Sequence, residues 1–297
     1  MNNHDCCIIL NMLNGIGGLS AWKHRGSYIN ALIKACGDVS AIFELDVDTL
    51  ARIGGISTEL AERISRWGDF IDLDRELETA KNNGATILCR TDDEYPVSLR
   101  ELSNPPLCIY VLGTLPAELT EKSIAIVGTR TPSVFGVRMA RKFSKDAVAA
   151  GWATVSGLAL GIDTNVHQAT IDAGGKTVAV LGDGLARVYP SENRDLACAI
   201  VRAGGAIVSE YPMDTTATRY TLPRRNRIIA GLSRRTLVVE AAERSGALMT
   251  AAFAEEQGCR VFAVPGDADN PVSTGCNNLI RRGAKPALDF NDILDGH

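Results

Sequence analysis

The sequence predicts an α/β fold: a doubly wound, mainly parallel sheet preceded by a small all-α region. Three observations carry this. From residue 124 onward six short apolar runs recur every 24 to 30 residues: IAIVG (124–128), ATVSG (153–157), TVAVLG (177–182), AIVSE (206–210), TLVVEA (236–241) and VFAVPG (261–266). A glycine-containing turn and an amphipathic stretch separate each run from the next, which is the layout of βαβ units. The runs are apolar throughout instead of at alternate positions, as strands covered on both faces are.

The first part reads differently. LNMLNGIG (10–17) and LARIGGIS (50–57) fit one helix-hairpin-helix template, each followed by an amphipathic stretch. A helical domain is therefore expected over 1–82, with the sheet domain over 83–297. Within the latter, a connector over 83–120 holds two short apolar runs and Pro105-Pro106, and is expected to add edge structure. Each hairpin turn can offer backbone N–H groups to a phosphate. However, the first 114 residues carry 10 Lys/Arg against 16 Asp/Glu, so packing or protein contact is the favoured role there.

Composition narrows the function classes. At 297 residues and 45% hydrophobic content the chain can bury a large core in about two domains. No apolar span reaches 18 residues and no basic-plus-apolar leader opens the chain, so a cytoplasmic protein without membrane contact is expected. The eight cysteines form no CxxC pair, and several lie in apolar runs. They read as core thiols, so neither a metal nor a disulfide framework is expected. The net charge of −4 is unevenly spread: after residue 114 there are 21 Lys/Arg against 19 Asp/Glu.

Ligands of doubly wound sheets bind outside the carboxyl ends of the strands. The loops there are glycine-rich and lack the usual catalytic groups. The stretch YTLPRRNRIIAGLSRR (220–235) stands out, because no carboxylate occurs between Asp214 and Glu240 while six arginines do. Pro223 suits the first turn of a helix, which places Arg224, Arg225 and Arg227 at its positive end. Cations are disfavoured there unless an anion compensates. The block therefore reads as a polyanion site, with the alternative that some arginines pair internally with Glu210 or Glu240. Asp163 and His167, four apart, could form a dyad on one helix face, but no nucleophile is evident beside them. GDGLAR (182–187) is half a dinucleotide fingerprint without its third glycine, so no cofactor is expected.

Taken together, AIVGTRTPSVFG, VSGLALGIDTNVHQATIDAGGKTVAVLGDGL, VYPSENRDL, IVSEYP, LPRRNRIIAGLS, VVEAAERSGALMTAAFAEEQG, VFAVPG and STGCNNLIRRGA, in this order, resemble the DNA-processing protein family DprA, also called Smf. The resemblance covers nearly the whole chain. It implies a SAM-like helical domain and a Rossmann-like domain that forms a homodimer and binds single-stranded DNA. It further implies protection of incoming DNA in natural transformation and loading of the RecA recombinase. Many members end in a winged-helix domain; this sequence stops at His297, so none is expected.

With that resemblance, the candidate nucleic-acid contacts are Gly128, Thr129 and Arg130 after the first run, and Ser156, Gly157 and Gly161 as a backbone nest for phosphate. Lys176 joins them on the resemblance alone, since it precedes its strand. In the arginine block Arg219 and Arg224 are expected to face DNA. Arg225 or Arg227 is expected to be structural, and Asn226 to cap the turn. Ser245, Gly246 and Thr250 could contact a ligand or cap a helix. The expectation is a binder, not an enzyme. The rival reading is a nucleotide enzyme similar to LOG-type phosphoribohydrolases with Glu240 as its carboxylate, although EAAERSGALMT lacks that group's PGGxGTxxE run.

Overall fold

The computed structural model describes residues 1–13 and 25–294. All six apolar runs form strands, at β3 (Ser123–Val127), β4 (Ala153–Ser156), β5 (Thr177–Leu181), β6 (Ala206–Ser209), β7 (Arg235–Val238) and β8 (Arg260–Ala263). With β1 (Ala85–Cys89), β2 (Cys108–Gly113) and the two-residue β9 (Lys285–Pro286) they make one sheet in the order β1-β2-β6-β5-β4-β3-β7-β8-β9. From β6 to β9 every pairing is parallel; β1 and β2 pair antiparallel at one edge. This is a Rossmann-like α/β fold.

Both sheet faces are covered, which is why the runs are apolar without alternation. Ala125, Val127, Val155, Val178, Val180 and Val208 point to one face. There they meet α10 (Thr221–Gly231), α11 (Ala247–Glu256) and α12 (Thr274–Arg281). Ile124, Ile126, Leu237 and Phe262 point the other way. They pack under α7 (Val134–Ala149), α8 (Ile162–Asp172) and α13 (Asn291–Leu294). Farther along that face Ala179, Leu181 and Ile207 meet α9 (Arg194–Arg202).

The N-terminal helices are α1 (Asn3–Leu13), α2 (Arg25–Cys36), α3 (Val47–Gly54), α4 (Thr58–Ser65) and α5 (Leu73–Asn82); α6 (Val97–Arg100) lies between β1 and β2. Their core runs into that of the sheet: Cys6, Ile9 and Leu10 share one apolar cluster with Ile87, Cys108 and Leu181. In the second hairpin Gly55 turns the chain at φ 58°, and Ser57 caps α4 by accepting the Leu60 N–H at 3.3 Å. The first hairpin's GIG turn lies outside the described residues.

The cysteines depart in part from the expectation of core thiols, because Cys198 is exposed and Cys36 and Cys259 are half-buried. Cys198 lies on α9 two residues from the buried Leu196 and Ile200, where helical spacing turns a side chain outward. His4, Cys89 and Asp92 also gather at the β1 edge. Asp92 accepts the Cys89 N–H at 2.8 Å and lies 3.1 Å from His4 Nδ1, a hydrogen-bonded set that ties α1 to the strand. Among the described residues no helix is long and apolar enough to cross a membrane.

Candidate nucleic-acid interface

The chain order reverses between β3 and β7, so the loops that follow them part and leave a crevice at the carboxyl edge. A pocket of about 310 Å³ occupies it, bounded by Gly128 and Arg130, by Asp163 of α8, by Leu222, Arg225 and Asn226 of α10, and by Ser245 to Thr250 around the start of α11. A smaller hollow of about 60 Å³ adjoins it, sharing Arg130 and Arg225 and adding Gly157, Leu160 and Tyr189. The first turns of α8, α10 and α11 converge here, and helix N-termini favour an anion.

Arg130 stands at the mouth, exposed in the loop after β3. Among the described residues no carboxylate pairs with it. Close packing fixes its loop. A Cβ on Gly128 would come within 2.6 Å of Ile162 Cγ1, and the Thr129 N–H donates to Glu240 O at 2.8 Å. Gly161 adopts φ 89° directly against the Thr129 and Arg130 backbone, leaving no room for a side chain. Gly161 and Thr129 therefore build the rim without lining the pocket.

The nest expected at Ser156, Gly157 and Gly161 is already filled from within. Asp163 accepts the N–H of Gly157 at 3.1 Å and of Ala159 at 3.4 Å, so the chain's own carboxylate occupies the place proposed for a phosphate. Ser156 is buried and donates to Ile126 O at 2.7 Å, stitching β4 to β3. Leu158 takes φ 55°, unusual for a branched residue, and is held on both sides. Its N–H donates to His167 Nε2 at 3.3 Å, and its carbonyl accepts from Asn193 at 2.8 Å. Burial pushes His167 down to about 3, so it stays a neutral acceptor. Asp163 and His167 thus hold separate parts of one loop and form no dyad.

The arginine block divides, though not where the sequence reading divided it. Arg225 is buried under the pocket floor, donating to the carbonyls of Gly157 and Val180. Burial lowers its pKa, against the pull of Asp163 and Asp183. Burial in turn raises Asp163 and lifts Asp183 to about 7, Arg225 opposing both. Arg227 is buried against Glu210. Arg224, expected to face DNA, instead binds Glu210 through Nε at 3.0 Å and is 19% exposed. Burial disfavours charge on Glu210, but the Arg227 and Arg224 guanidiniums outweigh it and hold the carboxyl below its usual range.

Asn226 caps nothing. It sits inside α10, donating to Gly246 O at 3.2 Å and accepting from Arg225, and so faces the pocket. Arg219 is exposed, its guanidinium 4.8 Å from the Tyr220 ring, and lies off the pocket lining. Lys176 is on the opposite edge, because it precedes β5, where it pairs with Glu118 at 3.1 Å. The structure therefore brings together Gly128, Gly157, Arg130, Arg225 and Asn226. Thr129, Ser156, Gly161, Lys176, Arg219, Arg224 and Arg227 fall outside the lining.

Ser245, Gly246 and Thr250, for which ligand contact and capping were both open, line the pocket, and so does Asp163, considered above only as half of a dyad. Ala159, Leu222 and Met249 line it without having been singled out, because small and apolar residues in loops carry no chemical signature. Glu240 does not line it. Its two oxygens accept from Ser133 N–H at 2.8 Å and Ser133 hydroxyl at 2.6 Å, locking β7 to the start of α7.

Protein Smf of Synechocystis is 40% identical over 82% of this chain, which spans 62% of that relative's length. The X-ray structure of DNA processing protein A from Streptococcus pneumoniae superposes with a TM-score of 0.82 at 32% identity, covering 100% of this chain and 98% of that one. DNA processing protein A from Helicobacter pylori, whose structure describes a single-stranded DNA binding mode, matches with a TM-score of 0.63 at 25% identity over 71% of this chain and 94% of its own. The model of the DNA recombination-mediator protein A family matches residues 86–297, the connector strands and the entire sheet with its pocket; the chain belongs to that family.

Proposed function

We propose that this chain is a sequence-independent single-stranded DNA binder that acts in DNA processing and recombination. One observation carries the reading: Arg130, exposed and without a carboxylate partner among the described residues, stands at the mouth of the pocket at the sheet's reversal point. A guanidinium so placed can take a phosphate in bidentate fashion, with the converging helix starts adding donors. The similarity to the Helicobacter pylori protein, whose structure concerns binding to single-stranded DNA, supports the same ligand here. The resemblance extends the reading to a homodimer that protects incoming DNA during natural transformation and loads RecA onto it.

The reading is of a binder and not an enzyme. The carboxylate that base–sugar cleavage would need, Glu240, is buried and taken by Ser133. Contacts to phosphate give binding that weakens with salt, by about 0.7 log units per tenfold salt for each phosphate neutralised on a single strand. Fluorescence anisotropy with labelled oligothymidine and with duplex, over a series of salt concentrations, tests this. Tighter binding of the single strand with a measurable salt slope is expected; equal affinity for duplex, or a flat salt response, contradicts it.

A further inference from the structure

With Arg224, Arg225 and Arg227 committed to internal contacts, a strand seated at Arg130 needs cations elsewhere, and the outer face of α7 holds them. Arg138, Arg141, Lys142 and Lys145 follow one another at spacings of three, one and three residues, which puts all four on one side of the helix. All four are exposed, while Gly136, Ala140, Phe143, Ser144 and Ala147 occupy the buried side. No other described helix carries four exposed cations.

The face is only weakly neutralised from within. Lys142 pairs with Asp146 at 2.9 Å, and Arg141 donates to the neutral Asn165 at 3.0 Å. Asp146 is the one carboxylate on α7. A solvated helix face in a chain of net charge −4 would mix signs, as α5 does with Asp74, Arg75, Glu78 and Lys81.

Position joins the stripe to the pocket. The helix begins four residues after Arg130, at the same carboxyl edge, and its first exposed residues are Val134 and Phe135. The Arg138 guanidinium lies 5.5 Å from the Phe135 ring, which is 37% exposed. A base leaving the pocket can stack on such a ring. From Arg138 to Lys145 the helix rises about 10 Å, room for roughly two phosphates of an extended strand.

We propose that the outer face of α7 is a second DNA-binding surface, along which the strand held at Arg130 continues. This rests on the single-stranded DNA reading above, and the test separates the two. Arg138→Gln and Lys145→Gln are combined, because both are exposed, glutamine keeps helical propensity, and the Arg141 and Lys142 contacts stay intact. Binding of oligothymidines of about 4 and about 20 nucleotides is measured by anisotropy over a salt series.

The double variant should bind the longer strand roughly 10- to 25-fold more weakly at 0.1 M salt. Its salt slope should fall by about 1.4, and binding of the short oligonucleotide should be unchanged. An unchanged slope and affinity for the longer strand, with wild type binding normally, overturns the track alone. Equal loss on both lengths also overturns it, since the effect would then act through the pocket or the fold. If wild type binds neither, the single-stranded DNA reading falls and takes the track with it.

Discussion

Two groups of cations in this chain differ in sequence density, and the fold treats them in the opposite order. Those on α10 sit in a run free of carboxylates, yet Arg225 and Arg227 are buried, and Arg227 and Arg224 share Glu210 from the preceding loop, after β6. Those at Arg130 and along α7 are scattered among apolar residues and one aspartate, yet they face solvent. Local charge density in a sequence therefore does not locate an exposed cationic surface. What decides is the side of the helix each residue occupies and whether a carboxylate elsewhere in the fold reaches it. Desolvating a guanidinium is costly, so a buried one persists only with partners, and those partners remove it from ligand binding.

The contrast can be broken by substitution. The largest effect is expected at Arg227: in Arg227→Met the buried Glu210 keeps Arg224 as its one remaining cation, and removing one member of such a pair costs roughly 3 to 5 kcal/mol. Urea unfolding should show a correspondingly lower midpoint, and an unchanged midpoint would mean that the pair contributes nothing.

A smaller effect, of order a few kcal/mol, follows from Asp183 beside Arg225. Its pKa is raised from 3.8 to about 7, with burial as the larger influence and Arg225 opposing. Between those values the native state holds a proton that the unfolded chain has released, so stability falls as pH rises across that window. Urea midpoints at pH 5 and pH 7.5 should differ less in Asp183→Asn than in wild type. Identical pH responses would place the Asp183 titration elsewhere.

Much of the fold was legible and less of the site. The six parallel strands were readable because each is buried on both faces and so carries an unbroken apolar run. The two-residue β9 has no such run. The pairing of an arginine with Glu210 was foreseeable from the nearby acidic residue, but the capture of both Arg224 and Arg227 depends on how α10 lies over the sheet. Lys176 was set among the DNA contacts by the resemblance alone; its place before a strand already put it at the edge opposite the pocket loops, where the structure has it. The nest at Gly157 was recognisable as a nest; its occupant, Asp163, six residues on, required the turn of α8 to be known.

If Arg130 at the pocket mouth binds phosphate, it does so while contributing little to the fold. Arg130→Ala, with Lys176→Ala as its control, tests it through oligothymidine anisotropy and urea unfolding of the same preparations. Surface substitutions of this kind shift stability by about 0.5 kcal/mol or less. Both variants should unfold near wild type, Arg130→Ala should lose roughly tenfold or more in affinity with a shallower salt slope, and Lys176→Ala should bind normally. Undiminished binding by Arg130→Ala would mean that the strand is held elsewhere.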